Sequence, residues 1–455
     1  MLTFISCIVC KFVYYTLKML KKGASTLPGR LALKVKSDVL INASKGVKVI
    51  LVTGTNGKTT TCRILEKALA NSGKSYFIND SGANLIWGIT TSFLMNCNIF
   101  GKNKKEYAIV ECDENAFKTV SLYLKPEVVL VTNVFRDQLD RFGEISTTLS
   151  AIRTSISNLP NSAICLCADC SLTYSLSRDF PNNKIYTYGV NLPFDKNSLK
   201  TEVSDAEYCI FCKTKYDFSY KTYGHLGGFS CPSCGYSRNN PDVAVEEIIE
   251  IKTNYSKFKI NLDGDAYDIK INVPGTFNVY NATGAAAALK CIGFDSKLIV
   301  DSLEQFDSAI GRMETFVFNN HDIGMMLVKN PAGFNQVVTH LSNRETEFSV
   351  VFCLNDNIAD GTDISWVWDV NFDNLFESKN LINIYTCGKR AYDMALVLKY
   401  NGYDKNIIVI ENEDYDKEIE YIMSENRDVV IVPTYTSLMK QRGKIASKFD
   451  RKDCK

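Results

Sequence analysis

The 455-residue sequence has no excess of charge of either sign, because 52 Lys and Arg residues oppose 51 Asp and Glu residues. Such a balance produces no long-range field, so nothing in it favours nucleic acid or an acidic partner. Histidine is also scarce. The three histidines, His225, His321 and His340, do not lie beside a cysteine in a glycine-rich turn. A self-contained Cys–His nucleophilic centre is therefore not predicted.

A long hydrophobic run is missing as well. Residues 1–22 are apolar, but Lys11 interrupts them and no small-residue cleavage site follows. The uninterrupted stretch is far shorter than the ~20 residues that span a bilayer. The spacing of Ile5, Ile8 and Phe12 predicts an amphipathic helix that either packs on the body of the protein or rests on a membrane surface. Without an export signal, the 16 cysteines indicate a cytoplasmic protein with reduced thiols.

The sequence does contain a glycine-rich loop between an apolar run and a helical pattern. The run 47–52 predicts a buried strand, and a helix with one apolar face is predicted to end near Gly73. The loop comprises Gly54, Thr55, Asn56, Gly57, Lys58, Thr59 and Thr60. Glycines let backbone N–H groups approach phosphate, Lys58 can reach terminal phosphates, and the Thr59 hydroxyl can ligate Mg²⁺. The first glycine of the full phosphate-loop pattern falls on Val52, so the loop is a variant.

Strand and helix patterns alternate beyond this loop. Strands are predicted at residues 107–110, 128–131, 163–166 and 185–188. This alternation predicts a mostly parallel sheet with helices on both faces, in which ligands sit beyond the carboxyl ends of the strands. Glu111 and Asp137 follow two of these strands and can join Thr59 around a metal–phosphate site. For Glu111 we favour Mg²⁺ ligation, whereas Asp137 fits a ligand and a surface carboxylate about equally well.

Two C-x-x-C pairs form an insertion at about residues 205–238. The four cysteines are Cys209, Cys212, Cys231 and Cys234. This spacing is typical of four thiolates wrapped around one Zn²⁺, and four thiolates leave no open position, so the metal is expected to be structural. Zinc ribbons often bind nucleic acid, but this one lacks a dense basic run.

A second α/β unit is predicted from Thr315, with strands at residues 325–328, 350–354, 382–385, 407–410 and 429–432. The segment 355–369 follows one of these strands and contains four aspartates and two of the three tryptophans of the chain. That composition and position make it a candidate site, and a solvated acidic loop is the alternative.

These motifs together resemble the Mur ligases. The resemblance rests on the glycine loop, Glu111, the pair Asn278 and Asn281, and the stretch 311–314, Gly-Arg-Met-Glu. The four-cysteine insertion and the acidic tryptophan loop narrow it to the MurT branch. The resemblance implies an entry segment at 1–46, a phosphate-loop central domain at 47–314 with the inserted zinc ribbon, and a Rossmann-like α/β domain at 315–455.

The resemblance also implies an activity. Members of this branch use ATP to amidate the α-carboxylate of D-glutamate in the lipid II stem peptide, through an acyl phosphate, at the inner face of the membrane. Ammonia is then expected from a class I glutamine amidotransferase subunit, in a heterodimer. Two alternatives remain open: a stand-alone amino-acid ligase of the Mur or folylpolyglutamate type, and a non-catalytic module that binds ATP or nucleic acid.

Residue roles follow from the same resemblance. Asn281 and Arg312 are expected to help the glycine loop hold ATP, with Asn330 a weaker candidate. Thr59 and Glu111 are expected to hold Mg²⁺. Asp363, or failing it Asp360, is expected to complete the catalytic triad of the amidotransferase. Two positions depart from the amino-acid-adding Mur ligases, because Gln138 and Phe277 replace histidines.

Overall fold

The computed structural model of the protein describes residues 1–79, 82–137, 145–193, 204–252, 254–307 and 313–451. The described residues form two α/β units in succession, preceded by three helices. These three helices are Leu2–Met19, Leu27–Val35 and Val39–Ala43.

The first unit is built around a nine-stranded sheet. The strands of this part of the chain are β1 Lys48–Thr53, β2 Tyr76–Ile78, β3 Tyr107–Glu111, β4 Val128–Val131, β5 Ala163–Cys167, β6 Ile185–Val190, β7 Asp217–Lys221, β8 Gly227–Ser230, β9 Val243–Ile251, β10 Ser256–Leu262 and β11 Asp265–Ile271. The sheet order is β11-β10-β9-β6-β5-β4-β1-β3-β2, and β7 pairs only with β8 in the cysteine insertion. In this nine-stranded sheet the neighbours β9, β6, β5, β4, β1, β3 and β2 pair in parallel, whereas β10 and β11 add an antiparallel edge.

The helices described in this unit lie between β1 and β6 and after β11. They are Lys58–Asn71, Ile86–Asn96, Glu114–Tyr123, Ile145–Ser157, Ser171–Tyr174, Leu176–Asp179, Thr276–Cys291 and Ser296–Glu304. Val49, Ile50, Leu51 and Val52 of β1 are all buried. Successive strand residues point to opposite faces, so both faces of β1 are covered, as its unbroken apolar run predicts.

The second unit is a seven-stranded sheet in the order β16-β15-β14-β17-β13-β12-β18. Its strands are β12 Met313–Phe318, β13 His321–Met326, β14 Phe348–Cys353, β15 Leu381–Cys387, β16 Ile407–Val409, β17 Asp428–Pro433 and β18 Asp450–Arg451. Its helices are Pro331–Ser342, Asp373–Phe376, Ala391–Tyr400, Tyr415–Ser424 and Tyr435–Lys448, with a 3-10 turn at Ser365–Asp369.

The predicted α/β class with mostly parallel sheets is confirmed. The strand predicted at 325–328 instead runs from His321 to Met326, so Lys329 follows the strand end and is available to a site. The antiparallel β12 was not predicted as a strand.

The helix Leu2–Met19 packs one face on the body of the protein and exposes the other. Ser6 and Cys10 are buried, and Lys11 Nζ donates to the carbonyl of Met95 at 3.1 Å. Phe12 and Tyr15 are 71% and 63% exposed. By length and composition alone this helix could cross a membrane, contrary to the expectation drawn from the interruption at Lys11.

Candidate active site

The glycine loop lies between β1 and the helix that begins at Lys58. Gly57 precedes this helix with φ +87°, and a Cβ there would lie 2.0 Å from Asn281 Oδ1. A Cβ on Gly54 would lie 2.4 Å from Thr132 Oγ1. Only glycine fits at both positions, since each combines a positive φ with a close approach.

The end of β4 fixes the conformation of this loop. Asn56 N–H donates to Asn133 Oδ1 at 2.9 Å, and the Thr55 N–H donates to the Asn133 carbonyl at 2.8 Å. Thr132 Oγ1 donates to the Asn56 carbonyl at 2.8 Å. The loop is therefore held in one conformation by a neighbouring strand, without a ligand.

Lys58 is tied to the same loop and to an acidic group. Its Nζ donates to the Gly54 carbonyl at 2.6 Å and lies 2.7 Å from Glu114 Oε1, and both side chains are largely buried. Burial opposes the charged form of Lys58, but Glu114, Asp113 and Glu111 outweigh it and raise the pKa of the amine. Lys58 thus stays cationic where phosphate oxygens would arrive.

The parallel register brings Glu111 to the loop. Glu111 at the end of β3 pairs with Val52 of β1, two residues before Gly54. Glu111 and Thr59 are 5% and 6% exposed, and Asn79 binds the backbone of Glu111 at 2.8 and 3.0 Å. A carboxylate and a hydroxyl are oxygen ligands of the kind that Mg²⁺ prefers, so these two residues fit the predicted metal role.

The second unit reaches across to the loop. Lys329 Nζ donates to the Thr55 carbonyl at 3.0 Å and lies 2.7 Å from Asp137 Oδ2. Asn330 Nδ2 donates to Asn56 Oδ1 at 3.0 Å. Asp137 is 9% exposed in its side chain, so it is not the surface carboxylate that the sequence left open.

A cleft of about 970 Å³, partly open to solvent, runs between the two units beside the loop. Its polar lining comes from Asn56, Asn133, Asn278, Asn281, Lys329 and Gln336. Its apolar lining includes Tyr223, Val273, Phe277, Met326, Leu327 and Val337. A polar edge at the phosphate loop and an apolar wall beyond it suit a nucleotide.

Asn281 stands at this edge because of the helix Thr276–Cys291. Its Nδ2 donates to Asn278 Oδ1 at 3.0 Å, and Asn278 Nδ2 donates to the Pro274 carbonyl at 2.7 Å. Asn281 thus lies beside the glycine loop and lines the cleft, while its role in holding ATP stays a prediction. Arg312 and Gln138 lie outside the described residues.

The two candidate aspartates of the acidic loop 355–369 differ in burial and in hydrogen-bond partners. Asp360 is 3% exposed and accepts from the Thr436 backbone N–H at 2.7 Å and from the Thr436 hydroxyl. Asp363 is only partly buried and accepts from the Ser365 N–H at 2.8 Å. Asp369 at the end of the loop pairs with Arg136 of the first unit at 2.6 Å.

Family models match both units. The Mur ligase middle domain matches residues 52–229, and the MurT ligase C-terminal model matches residues 327–438. Lipid II isoglutaminyl synthase (glutamine-hydrolyzing) subunit MurT of Streptococcus pneumoniae is 34% identical over 96% of this chain and 95% of its own. The chain belongs to the MurT family. The MurT subunit of Staphylococcus aureus is 33% identical over 92% of both chains.

Solved structures agree on the fold of this MurT family member. A pseudomurein peptide ligase type C from Methanothermus fervidus has a TM-score of 0.70 at 21% identity, over 90% of this chain and 81% of that one. MurF from Acinetobacter baumannii has a TM-score of 0.67 at 17% identity, over 92% and 81%. At these identities the likeness extends to the Mur ligase fold alone.

The four cysteines of the MurT insertion converge. Cys209 Sγ lies 3.6 Å from Cys234 Sγ, and Cys212 Sγ lies 3.4 Å from Cys231 Sγ. Four sulfurs bound tetrahedrally at 2.3 Å are about 3.8 Å apart, so the cluster fits a zinc ion with little movement.

Several residues of the MurT site were missed at the sequence level. No sequence motif singles out these residues, which are Glu114, Asn133, Lys329 and Tyr223. The acidic run 111–114 and the position of Lys329 after an apolar run were usable signals for two of them. Tyr223 reaches the cleft only because the segment between the two C-x-x-C pairs packs against Tyr280, which no local pattern indicates.

Proposed function

We propose that this chain is the ATP-dependent ligase subunit of a lipid II isoglutaminyl synthase. It amidates the α-carboxylate of D-glutamate in the stem peptide to D-isoglutamine, with ammonia from a glutaminase subunit. The observation that carries the proposal is a preformed phosphate loop, with Lys58 facing an acidic cluster, beside a cleft where Lys329 and Asn330 of the second unit bind the loop. Full-length similarity to subunits of that name supports it.

A carboxylate is a poor electrophile, because ammonia would have to expel oxide. Transfer of the γ-phosphoryl group of ATP to the substrate carboxylate makes an acyl phosphate, from which ammonia displaces phosphate. Lys58 offsets charge on the transferring group, and the backbone N–H groups of the loop hold the remaining phosphates. Mg²⁺, held by Thr59 and Glu111, would supply further charge neutralisation.

Binding of ATP requires Lys58 to change partners. Its amine now lies 2.7 Å from Glu114, and phosphate oxygens take over that role when nucleotide enters. Asn281 and Arg312 complete the nucleotide contacts by resemblance. Lys329 and Asn330 link the second unit to the loop, so the cleft closes around the nucleotide from both sides.

Ammonia comes from a class I glutamine amidotransferase partner, whose Cys–His pair needs an orienting carboxylate. Asp363 fits that role better than Asp360. The Asp360 carboxylate is buried and accepts two hydrogen bonds from Thr436, so it stabilises the start of the helix Tyr435–Lys448. Asp363 lies nearer the surface, in the same loop as Ile358, which is 85% exposed.

The substrate carries a lipid tail, so the protein works at the inner face of the membrane. The exposed side chains of Ile8, Phe12, Tyr15 and Met19 form one stripe along the first helix. Lys18, Lys21 and Lys22 follow at its end and complement anionic lipid.

The four-cysteine insertion holds a structural zinc ion.

The test is amidation of lipid II by the purified chain with ATP, Mg²⁺ and ammonium chloride, followed by mass spectrometry of the stem peptide. We expect a product lighter by about one mass unit, as –OH becomes –NH₂, with release of ADP. Addition of an amino acid instead would favour a stand-alone ligase. No product with ammonium, nor with the amidotransferase and glutamine, would refute the proposal.

A further inference from the structure

A second group of metal-ligating side chains lies in the core of the C-terminal unit. Cys353 and Cys387 end the adjacent strands β14 and β15 and are register partners. Glu418 approaches them from the helix Tyr415–Ser424. All three residues are at most 1% exposed, and one potential ligand atom from each lies within 4.8 Å of the others.

Gln441 adds a fourth polar group from the helix Tyr435–Lys448. Its Nε2 lies 3.0 Å from Cys353 Sγ and 2.7 Å from Glu418 Oε2. Gln441 is 1% exposed, and its buried Oε1 has no hydrogen-bond partner. The two ends of a glutamine amide have the same shape, so rotation of the amide by a half-turn would point the oxygen at the same centre.

Glu418 is a buried carboxyl group, and the partners that the structure describes for it are uncharged. Among the described residues, no lysine, arginine or histidine forms an ion pair with Glu418. Removing a carboxylate from water is costly unless a cation or several donors compensate it. Glu418 instead accepts from the Gln441 amide, whose own oxygen is unsatisfied, and from the weakly donating thiol of Cys353.

We propose that Cys353, Cys387, Glu418 and Gln441 form a second, buried site for Zn²⁺ or a similar thiophilic divalent cation. Cys353 Sγ lies 3.7 Å from Glu418 Oε1. A sulfur at 2.3 Å and an oxygen at about 2.1 Å from a tetrahedral zinc ion are about 3.6 Å apart, so this pair is already spaced for the metal. The separation matches the 3.4 and 3.6 Å between sulfurs in the four-cysteine insertion.

Such a site would be closed and structural, because four protein ligands leave no position for substrate. It joins two strands to two helices directly below the acidic loop. Asn355, two residues after Cys353, donates to Tyr415 at 3.3 Å and to Thr436 at 3.0 Å. The metal therefore braces the part of the fold from which the loop carrying Asp360 and Asp363 begins.

The test measures zinc bound per chain after reconstitution and removal of free metal. Full-length protein should bind two equivalents, and the variant Cys209→Ser/Cys231→Ser should retain one. Adding Glu418→Gln or Cys387→Ser to that variant should remove the remaining equivalent. Adding Cys97→Ser, a buried cysteine outside both groups, should not. Cobalt substitution gives a second readout, since two thiolates produce a weaker sulfur-to-metal absorption than four.

Where the combined variants do not fold, Glu418→Gln alone decides the matter. It should lower the content of the otherwise intact chain from two equivalents to one, while the absorption of cobalt in the four-cysteine site persists. A wild-type chain that binds a single equivalent, lost on changing Cys209 and Cys231, would overturn the proposal. So would two equivalents that survive both Glu418→Gln and Cys387→Ser.

Discussion

Lys58 and Glu114 form a largely buried ion pair, with Lys58 Nζ 2.7 Å from Glu114 Oε1. Each is the first residue of a helix, and the two helices follow the adjacent strands β1 and β3. The Lys58 amine, which is expected to bind phosphate, is thus paired with the Glu114 carboxylate. We therefore expect nucleotide binding to exchange one anionic partner of Lys58 for another.

Glu114→Gln should destabilise the free protein more than the nucleotide complex. Removing one partner of a buried pair costs about 3–5 kcal/mol, because it leaves an uncompensated charge. Phosphate oxygens restore a partner, so Mg-ATP should raise the Tm of this variant more than that of the wild type. Glu66→Gln, at the half-exposed pair with Arg63, is the matched control and should change little. Equal ATP-induced shifts in all three proteins would contradict this role.

Asp363→Asn should abolish amidation with glutamine but leave amidation with ammonium largely intact, because only the partner's histidine loses its orienting carboxylate. Both activities are measured on the heterodimer with lipid II.

Asp360→Asn should behave differently. It weakens the acceptor for the Thr436 N–H, which should lower stability by about 1–2 kcal/mol and reduce both activities in parallel. Selective loss of the glutamine-dependent activity in this variant, at unchanged Tm, would assign the triad role to Asp360 instead.

Lys329→Met should weaken ATP binding. The substitution removes the donor to the Thr55 carbonyl and leaves Asp137 without its lysine, at a cost of about 2 kcal/mol, or roughly 30-fold in Kd. Isothermal titration with a non-hydrolysable ATP analogue measures the change. Lys444→Met, at a surface pair with Asp416 in the same unit, serves as the control. An unaltered Kd would show that the second unit does not contribute to the nucleotide site.

Disrupting the four-cysteine metal site should also lower the affinity of the nucleotide cleft for ATP. The hydroxyls of Thr222 and Tyr280 lie 2.8 Å apart, and the ring of Tyr223 packs against that of Tyr280 at 5.6 Å. Tyr280 is the neighbour of Asn281. Cys231→Ser should therefore lower both the Tm and the affinity for ATP. The control is Cys291→Ser, at the end of the helix Thr276–Cys291 that carries Tyr280, and it should change both quantities only slightly. A lower Tm with unchanged affinity for ATP would show that the insertion contributes to stability but not to nucleotide binding.

The exposed stripe of the first helix should bind anionic membranes. Phe12→Glu/Tyr15→Glu places two charges on this stripe and should reduce sedimentation with phosphatidylglycerol vesicles at least about tenfold, since each buried aromatic contributes roughly 1.5–3 kcal/mol. Tyr392→Glu, at an exposed position of the helix Ala391–Tyr400 in the C-terminal unit, is the control. Equal sedimentation of both variants would leave packing on the body as the only role of the helix.

Sequence alone predicted the elements whose patterns are local. The unbroken apolar run of β1, the glycines of the loop and the two C-x-x-C pairs each follow from chemistry within a few residues. The order of strands then placed Glu111 near the loop, because parallel strands share one carboxyl edge.

Tertiary structure decided which side chains face each other across distant parts of the chain. It paired Lys58 with Glu114 and Lys329 with Asp137, buried Asp360 against Thr436, and brought Cys353, Cys387, Glu418 and Gln441 together. The residues in each of these contacts are far apart in the sequence and share no regular separation that a pattern search would find. They depend on the packing of whole strands and helices, whose geometry the local sequence does not encode, so they become visible only in the folded structure.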